Sequence, residues 1–574
     1  DRLFREVCIT LAAAILVSLW VSVTLTPMLC ARWLKPQTHH AEQSRFAQWS
    51  ARVTQRWNQG YGRSLNWALR HRRVMLFSLL ATIALNVVLY VKVPKTFLPT
   101  QDTGQITGFI RGDDGLSFQV MQPKMELFRQ TALDDPAVES VAGFIGGRGG
   151  INNAFMIVRL KPLKERKLSA QKVVERIRKN LPAVPGGRMF LMPSQDLQFG
   201  GGRQSSSSYA YNLLSDDLTL LREWTPKVVR ALQALPELTG IDAKEGRGAQ
   251  QISLKINRDE AKRLGVDMST VSTLLNNAFS QRQISTIYES LNQYSVVMEV
   301  DPQYAQHPEV LDQIHVISND GKRIPLSAFS HYERSLQNDR VTHEGQFAAE
   351  NIDFDITEGF SLDQATRAIE RAVAAIGLPS EVQGSMGGTG KMFQSMQGGQ
   401  PLMILGAIVM VYIVLGILYE SYLHPLTILS TLPSAGVGAL LTIMLTGDEF
   451  SLISLLGLFL LIGIVMKTGI LMIDLALQLE REHKLPAQDA IHQACVLRFR
   501  PIIMTTLAAI LGALPLLFSG NEGAEMYRPL AMTIIGGLLL SQLLTLYTTP
   551  VVYLYLEKLR AFVLRRTPAQ RTEG

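Results

Sequence analysis

The sequence predicts an α-helical membrane bundle joined to an α+β block of two ferredoxin-like (split βαβ) subdomains, the second carrying a smaller inserted subdomain. Three observations lead there. Seven windows of about 18 or more nearly uninterrupted apolar residues recur along the chain of 574 residues, each long enough to cross about 30 Å of hydrocarbon. Between the second and third windows lies a polar stretch, residues 95–398. Within that stretch, strand-like and helix-like periodicities alternate in one order and then begin the same order again.

The first span covers about 8–30, the first segment being 1–30. A basic loop with an amphipathic helix follows over 31–73. It holds about nine basic residues, among them Arg45, Arg52, Arg56, Arg63, Arg70, Arg72 and Arg73, against the single acid Glu42. Such an excess beside a span marks the cytoplasmic side. The second span is 74–94. Alternation then sends 95–398 outside and brings back five spans over 399–556: 401–419, 425–446, 451–478, 501–519 and 530–556. The turns near Gly447–Glu449 and Asn521–Tyr527 fall outside, and 480–500 falls inside. The tail 557–574, with Lys558, Arg560, Arg565, Arg566 and Arg571, is cytoplasmic.

This partition accounts for the composition. Only 18% of residues are charged, below the roughly 25% of soluble domains, and mean hydropathy is +0.13. The formal charge of +7 and pI near 9.2 would permit a nucleic-acid partner on average. The outer block, however, has about 33 basic and about 35 acidic residues, so the excess of about +9 lies in the membrane part and its flanks. Topology explains the basic residues and no recognition motif accompanies them, which argues against nucleic acid. Cys8 and Cys30 sit at opposite ends of one span, Cys495 lies inside, and the outer block has no cysteine, so disulfides do not hold it. No metal-ligand spacing occurs. The chain opens with Asp1 and lacks a cleavable leader, so it reads as a piece of a longer protein whose upstream part is missing.

In the outer block a strand reads at Gln105–Arg111 and a helix over 117–133, ended by Asp134-Asp135-Pro136. Strands follow at 138–144 and 154–160, a helix at 168–180 and a strand at 188–193. This βαββαβ order defines the first subdomain, 95–204. A second begins with strand 208–214, helix 218–235 and strand 239–244 (205–248). It resumes about 100 residues later with strand 349–356, helix 361–376 and strand 380–384 (337–398). The insertion 249–336 has its own short strands and the helix Met268–Phe279. Gly146-Gly147-Arg148-Gly149-Gly150 lies between two strands without a following helix, so it is no dinucleotide loop. It reads as a hairpin loop, or as a mobile loop beside a pocket with Phe144, Phe155 and Met156 as adaptable apolar contacts.

One ionisable residue lies deep in a span. Lys467 is about 16 Å from the cytoplasmic end at 1.5 Å per residue, beyond the reach of a lysine stem. Such a group costs about 2.5–3.5 kcal/mol on insertion scales and needs an interior partner. Asp474, seven residues on, lies about 6 Å from that end and can be solvated. No other span offers a deep carboxylate. Arg498 and Thr505 stand i,i+7, on one face if their helix begins early enough, although a threonine there can simply bond its own backbone. Ser434, Gly436 and Gly438 permit close helix packing.

Several stretches together resemble the resistance-nodulation-division (RND) multidrug efflux family, in the C-terminal half of its inner-membrane subunit. They are Thr24–Cys30, Gln101-Asp102-Thr103-Gly104, Gly143–Gly149, Leu418-Tyr419-Glu420-Ser421 and Arg498-Phe499-Arg500-Pro501-Ile502. Gln281–Tyr288 and Leu543–Val552 favour one branch of it. The resemblance covers essentially the whole chain. It implies a periplasmic porter region with 249–336 as docking subdomain. Phe144, Gly146, Gly147, Arg148, Gly149, Phe155 and Met156 would line the drug pocket. Lys467, Arg498 and Thr505 would form the proton relay. The sequence departs from the family at Met466 and Thr468-Gly469, where relatives read Lys or Ala and then Asn-Ala. The family's aspartate pair lies in the other half, absent here, and would partner Lys467.

What this implies is a proton-driven drug antiporter subunit in a bacterial inner membrane. It would use the proton gradient and no cofactor, and would not be an enzyme. Its partners would be the N-terminal half, identical or sister subunits in a trimer, a periplasmic adaptor, an outer-membrane channel and the bilayer. Two alternatives remain: a metal-exporting relative, with Met189 and Met192 as candidate ligands, and a membrane receptor or assembly protein that does not transport.

Overall fold

The computed structural model describes residues 2–33, 45–146, 150–196, 207–243, 249–280, 282–305, 307–337, 341–357, 359–519 and 523–566. The chain enters through α1 (Arg2–Trp33), α2 (Arg45–Arg70) and α3 (Arg72–Lys92). The first subdomain follows: β1 (Gln105–Gly112), α4 (Phe118–Leu133), β2 (Val138–Ile145), β3 (Asn153–Leu160), α5 (Leu163–Arg166), α6 (Ala170–Asn180) and β4 (Gly187–Pro193). The second starts with β5 (Tyr209–Ser215), α7 (Leu218–Gln233) and β6 (Leu238–Ala243). The insertion holds β7 (Ala249–Ile256), α8 (Arg258–Arg263), α9 (Met268–Phe279), β8 (Arg282–Tyr288), β9 (Gln293–Met298), α10 (Pro302–Ala305), β10 (His315–Ile317), β11 (Arg323–Pro325) and β12 (Ser330–Gln337). The second subdomain closes with β13 (His343–Glu344), β14 (Phe347–Ile356), α11 (Leu362–Ile376) and β15 (Gln383–Gly387). The remaining helices are α12 (Gly388–Tyr419), α13 (His424–Leu429), α14 (Leu432–Thr446), α15 (Leu452–His483), α16 (Ala487–Leu517) and α17 (Arg528–Arg566).

Among the described residues, seven helical segments are long and apolar enough to cross a membrane. Their packing differs sharply. No residue in the apolar window of α1 is buried, whereas the segments His424–Thr446, which joins α13 and α14, and Ala524–Arg560, which contains most of α17, bury half of theirs. Glycine permits the α14–α17 approach: a Cβ on Gly438 would stand 2.9 Å from the Leu540 Cβ and 3.0 Å from the Gly537 Cα. The fourth span divides at Ser430-Thr431 into α13 and α14. Helix α16 runs unbroken through Pro501 and starts well before the apolar run, so Arg498 and Thr505 share one helix.

The two ends of the bundle are distinct. At one end α2 lies across α16 and α17. Tyr61 donates its hydroxyl to the Leu546 carbonyl at 2.9 Å and stacks on Phe499 at 4.4 Å, and Arg72 donates to Gln488 at 2.6 Å. At the other end the chain entering the polar block meets the outer turns. Phe450 N–H donates to the Pro94 carbonyl at 2.8 Å, Gly523 N–H to the Asp102 carbonyl at 3.0 Å, and Arg528 pairs with Asp448 at 3.5 Å. Helix α2 and the polar block therefore lie at opposite ends of the helices.

The two sheets of the block repeat one topology. The first has order β2-β3-β1-β4; in the second, β6 and β5 flank β14, and β15 follows β5. Setting aside the two-residue β13, which also pairs with β14, both sheets read 2-3-1-4 when strands are counted within each subdomain. The alternation of strand residues explains the cores. Ile106, Ile110, Met156, Val158 and Leu191 face α4 and α6, burying Phe128, Val173 and Ile177. Leu213, Ile352 and Phe354 face α7 and α11 in the second. Helix α11 begins at a reciprocal cap in which Ser361 accepts from Gln364 N–H and the Gln364 side chain accepts from Ser361 N–H. The insertion leaves and returns through the paired ribbon β7–β12 and has its own small core around Val271, Val316, Leu326 and Phe329.

Candidate functional site

Lys467 sits near the middle of α15, about 22 to 24 Å from either helix end at 1.5 Å per residue. Its side chain is exposed, on a stripe of α15 shared with Gly463 and Asp474. Among the described residues it has no hydrogen bond or ion pair. A lysine at such a depth in a membrane helix is costly and usually faces a partner or a water-filled cavity. Asp474 is exposed on the same stripe and does not pair with Lys467.

Arg498 is half-buried on α16, and its Nε is buried without a partner among the described residues. Thr505 is exposed and donates to the Ile502 carbonyl at 3.1 Å, the backbone bond a membrane threonine often makes. The adjacent Thr506 is buried and donates to Gln542 Oε1 on α17 at 2.8 Å. Ser434 of α14 reaches Ser541 of α17 at 3.3 Å. These contacts tie α14 and α16 to α17; of their residues the sequence had singled out only Ser434, for helix packing. A glutamine inside the apolar run 538–544 was the available signal, because a lone amide there needs a helix partner.

The glycine-rich loop joins β2 and β3. Gly146 has φ +95°, the left-handed region glycine favours. Gly147, Arg148 and Gly149 lie outside the described residues. Phe144 and Phe155 are cross-strand partners with ring centroids 5.6 Å apart, and Phe144 is exposed. Met156 does not join them. One residue on from Phe155, it points to the opposite face and is wholly buried against α4, so it is core and not an adaptable contact. A cavity of about 380 Å³ lies instead on the second subdomain, between Asp217 at the start of α7 and Glu381 before β15.

A further site ties the first subdomain to the membrane end. Asp102 and Arg166 form a buried ion pair at 2.6 Å. The Asp102 carboxylate also accepts from Ala170 N–H at 2.9 Å and Gly104 N–H at 3.1 Å. Burial alone would raise this carboxyl. The Arg166 guanidinium and the two N–H groups outweigh burial and hold it below the usual carboxylate range. Its backbone N–H donates to Glu525 at 3.4 Å, in the turn between α16 and α17.

Comparison with known proteins extends this picture. The chain is 53% identical over 567 residues to the multidrug resistance protein MdtC of Pectobacterium atrosepticum, covering 99% of this chain and 55% of that protein. It is 53% identical over 560 residues to MdtC of Edwardsiella ictaluri, covering 98% and 54%, and 51% identical over 572 residues to MdtC of Escherichia coli, covering 100% and 55%. The chain thus spans about half the length of the curated relatives it matches. A solved heavy metal efflux pump, 21% identical, superposes with a TM-score of 0.76 over 88% of this chain and 52% of that one, a likeness of fold. The pattern of the AcrB/AcrD/AcrF family matches residues 1–557, and with these relatives it establishes that the chain belongs to that family.

Proposed function

We propose that this chain is the C-terminal half of a proton-driven drug antiporter subunit of a tripartite multidrug efflux system in the bacterial inner membrane. The observation that carries the reading is Lys467, an exposed and unpaired lysine at the middle of a membrane-length helix in a member of this family. A receptor or assembly protein has no use for such a charge. On this reading an aspartate pair on the complementary half holds Lys467 while ionised. Protonation from the periplasm neutralises a carboxylate and frees the lysine, and the helices shift. Arg498, with its buried free Nε, and Thr505 stand on the adjoining helix to take up the released partners. The two α+β subdomains act as ferredoxin-like porter units, the hairpin at Phe144 and Phe155 contacts amphiphilic substrates, and 249–336 docks to the outer-membrane channel. An adaptor protein and identical or sister subunits complete the assembly.

The metal-exporting alternative is disfavoured. Met189 and Met192 stand three apart on β4, so they point to opposite faces, and Met189 is packed in the first core.

The test is Lys467→Ala in the complete protein, expressed in a drug-sensitive host. Protein level stays unchanged while resistance and proton-coupled efflux fall to the vector background. Full resistance in that variant contradicts the reading.

A further inference from the structure

Helix α2 carries five arginines and three tryptophans and no acidic residue. Its side chains sort into four sectors, because helix positions four or seven apart share a face. Tyr61, Leu65 and Leu69 face the bundle. Tyr61 stacks on Phe499 of α16 and bonds to α17, and all three belong to the buried cluster that holds Ala494 and Cys495. Gln55, Gln59 and Asn66 form an exposed amide sector to one side. Arg52, Arg56, Arg63 and Arg70, all exposed, form the sector facing away from the bundle, and none of them pairs with a carboxylate among the described residues. Trp49 and Trp67 stand eighteen positions apart, five full turns, so they share one line along the fourth sector. They are 61% and 54% exposed, and Trp57, 60% exposed, lies between that line and the packed face. The order around the helix is therefore bundle face, amides, arginines, tryptophans.

We propose that α2 is a docking bar for anionic phospholipid headgroups in the leaflet at its end of the bundle. The partner follows from the order of the sectors. A helix lying flat at the hydrocarbon boundary needs aromatic side chains toward the acyl chains, arginines at phosphate level and neutral polar groups toward water. With one side taken by the bundle, the other three sectors occur in that order. An acidic protein or a nucleic acid would call for cations on a water-facing side, without a row of tryptophans beside them. The bias of positive residues toward the cytoplasm accounts for arginines at this end, but not for their confinement to one sector. A guanidinium suits a phosphodiester, because its planar fork donates two parallel hydrogen bonds and sheds water at lower cost than an ammonium. Arg52 to Arg70 spans about 27 Å at 1.5 Å per residue, room for several headgroups in a row. Headgroups held there brace α2 against α16 and α17 through Tyr61, whose ring rests on Phe499 beside Arg498. The lipid site does not rest on the efflux reading, since it requires only that the helices span a bilayer.

The test uses the complete protein in phosphatidylcholine vesicles containing about one-third phosphatidylglycerol, with bromine on the acyl chains of one lipid or the other. Bromine quenches tryptophan at contact, so the two quenching curves compare the lipids beside α2. The difference between the parent and the double variant Trp57→Phe with Trp67→Phe isolates the signal of these two rings. That signal is quenched more by brominated phosphatidylglycerol than by brominated phosphatidylcholine. Arg56→Gln and Arg63→Gln lower the preference about fivefold per arginine, and Arg56→Lys, which keeps the charge without the fork, falls between parent and Arg56→Gln. Amide hydrogen exchange within Arg45–Arg70 is slower with phosphatidylglycerol present than in phosphatidylcholine alone. Equal quenching by the two lipids, or a preference that survives the arginine variants, overturns the proposal. So do rings that neither lipid quenches, which marks a protein partner on this face. Neither readout measures transport, so failure here leaves the efflux reading standing.

Discussion

The buried pair between Asp102 and Arg166 gives the sharpest quantitative expectation. The Arg166 side chain is fully buried, and it donates to the carbonyls of Lys161, at 3.0 Å, and Leu168 as well as to Asp102. Removing one member strands the other. Arg166→Met keeps most of the stem but leaves a buried carboxylate with only the N–H groups of Ala170 and Gly104. Breaking a buried pair in this way costs about 3–5 kcal/mol, so local opening of β1 and α6 becomes more than about a hundredfold more frequent at 1.36 kcal/mol per decade. Hydrogen exchange of the amides in Gln105–Gly112 and Ala170–Asn180 reads this directly. Asp102→Asn acts similarly, and the double variant costs less than the sum of the two, because neither charge is then left alone. The sign with pH follows from the depressed Asp102 pKa. The pair's contribution is fully present above the unfolded carboxyl value near pH 4 and is lost as pH falls through the lower folded value. An acid titration of near-UV circular dichroism should therefore show parent and Arg166→Met converging below about pH 4. Exchange equal to the parent at neutral pH, or additive single effects, refutes this account.

Two further expectations concern the bundle. Gly438→Leu drives a branched side chain into the Leu540 and Gly537 backbone and side-chain contacts, and overpacking of this kind costs about 1–3 kcal/mol. Thermal aggregation in detergent should begin at lower temperature, with Gly406→Leu, where a Cβ would meet nothing within 4 Å, as the unaffected control. Tyr61→Phe removes the bond to the Leu546 carbonyl while keeping the ring stack on Phe499. It should weaken the seating of α2 by about 1 kcal/mol, seen as faster proteolysis within Arg45–Arg70.

Much of the fold was legible because each element carries a one-dimensional signal. The outer strands and helices begin and end within about three residues of their periodic patterns, and the βαββαβ repeat survives an insertion of some 90 residues because each half keeps its own alternation. Three things were not legible for physical reasons. Hydropathy reports where a helix meets hydrocarbon and not where it starts, so α16 extends to Ala487 although its apolar run opens at Pro501. Sequence spacing placed Thr505 on the face of Arg498, but which of two adjacent threonines meets α17 depends on helix rotation, and Thr506 makes that contact. Long-range partners leave no local trace: Arg166, in the four-residue helix α5, meets Asp102 across 64 positions, and Asp242 meets arginines from two strands of another subdomain. Lys467 stood out from sequence because its penalty is set by depth alone, which hydropathy reports directly.

The ribbon β7–β12 has a mechanical meaning of its own. Eight register pairs, from Ala249 opposite Gln337 to Ile256 opposite Ser330, make it a two-stranded stalk. Such a strip resists stretching, since two extended backbones bear the load in parallel, and the hydrogen bonds across it couple the two strands so that they turn together. The insertion is therefore carried like the head of a key. Turning the subdomain at its base turns the head, with no rearrangement of either core.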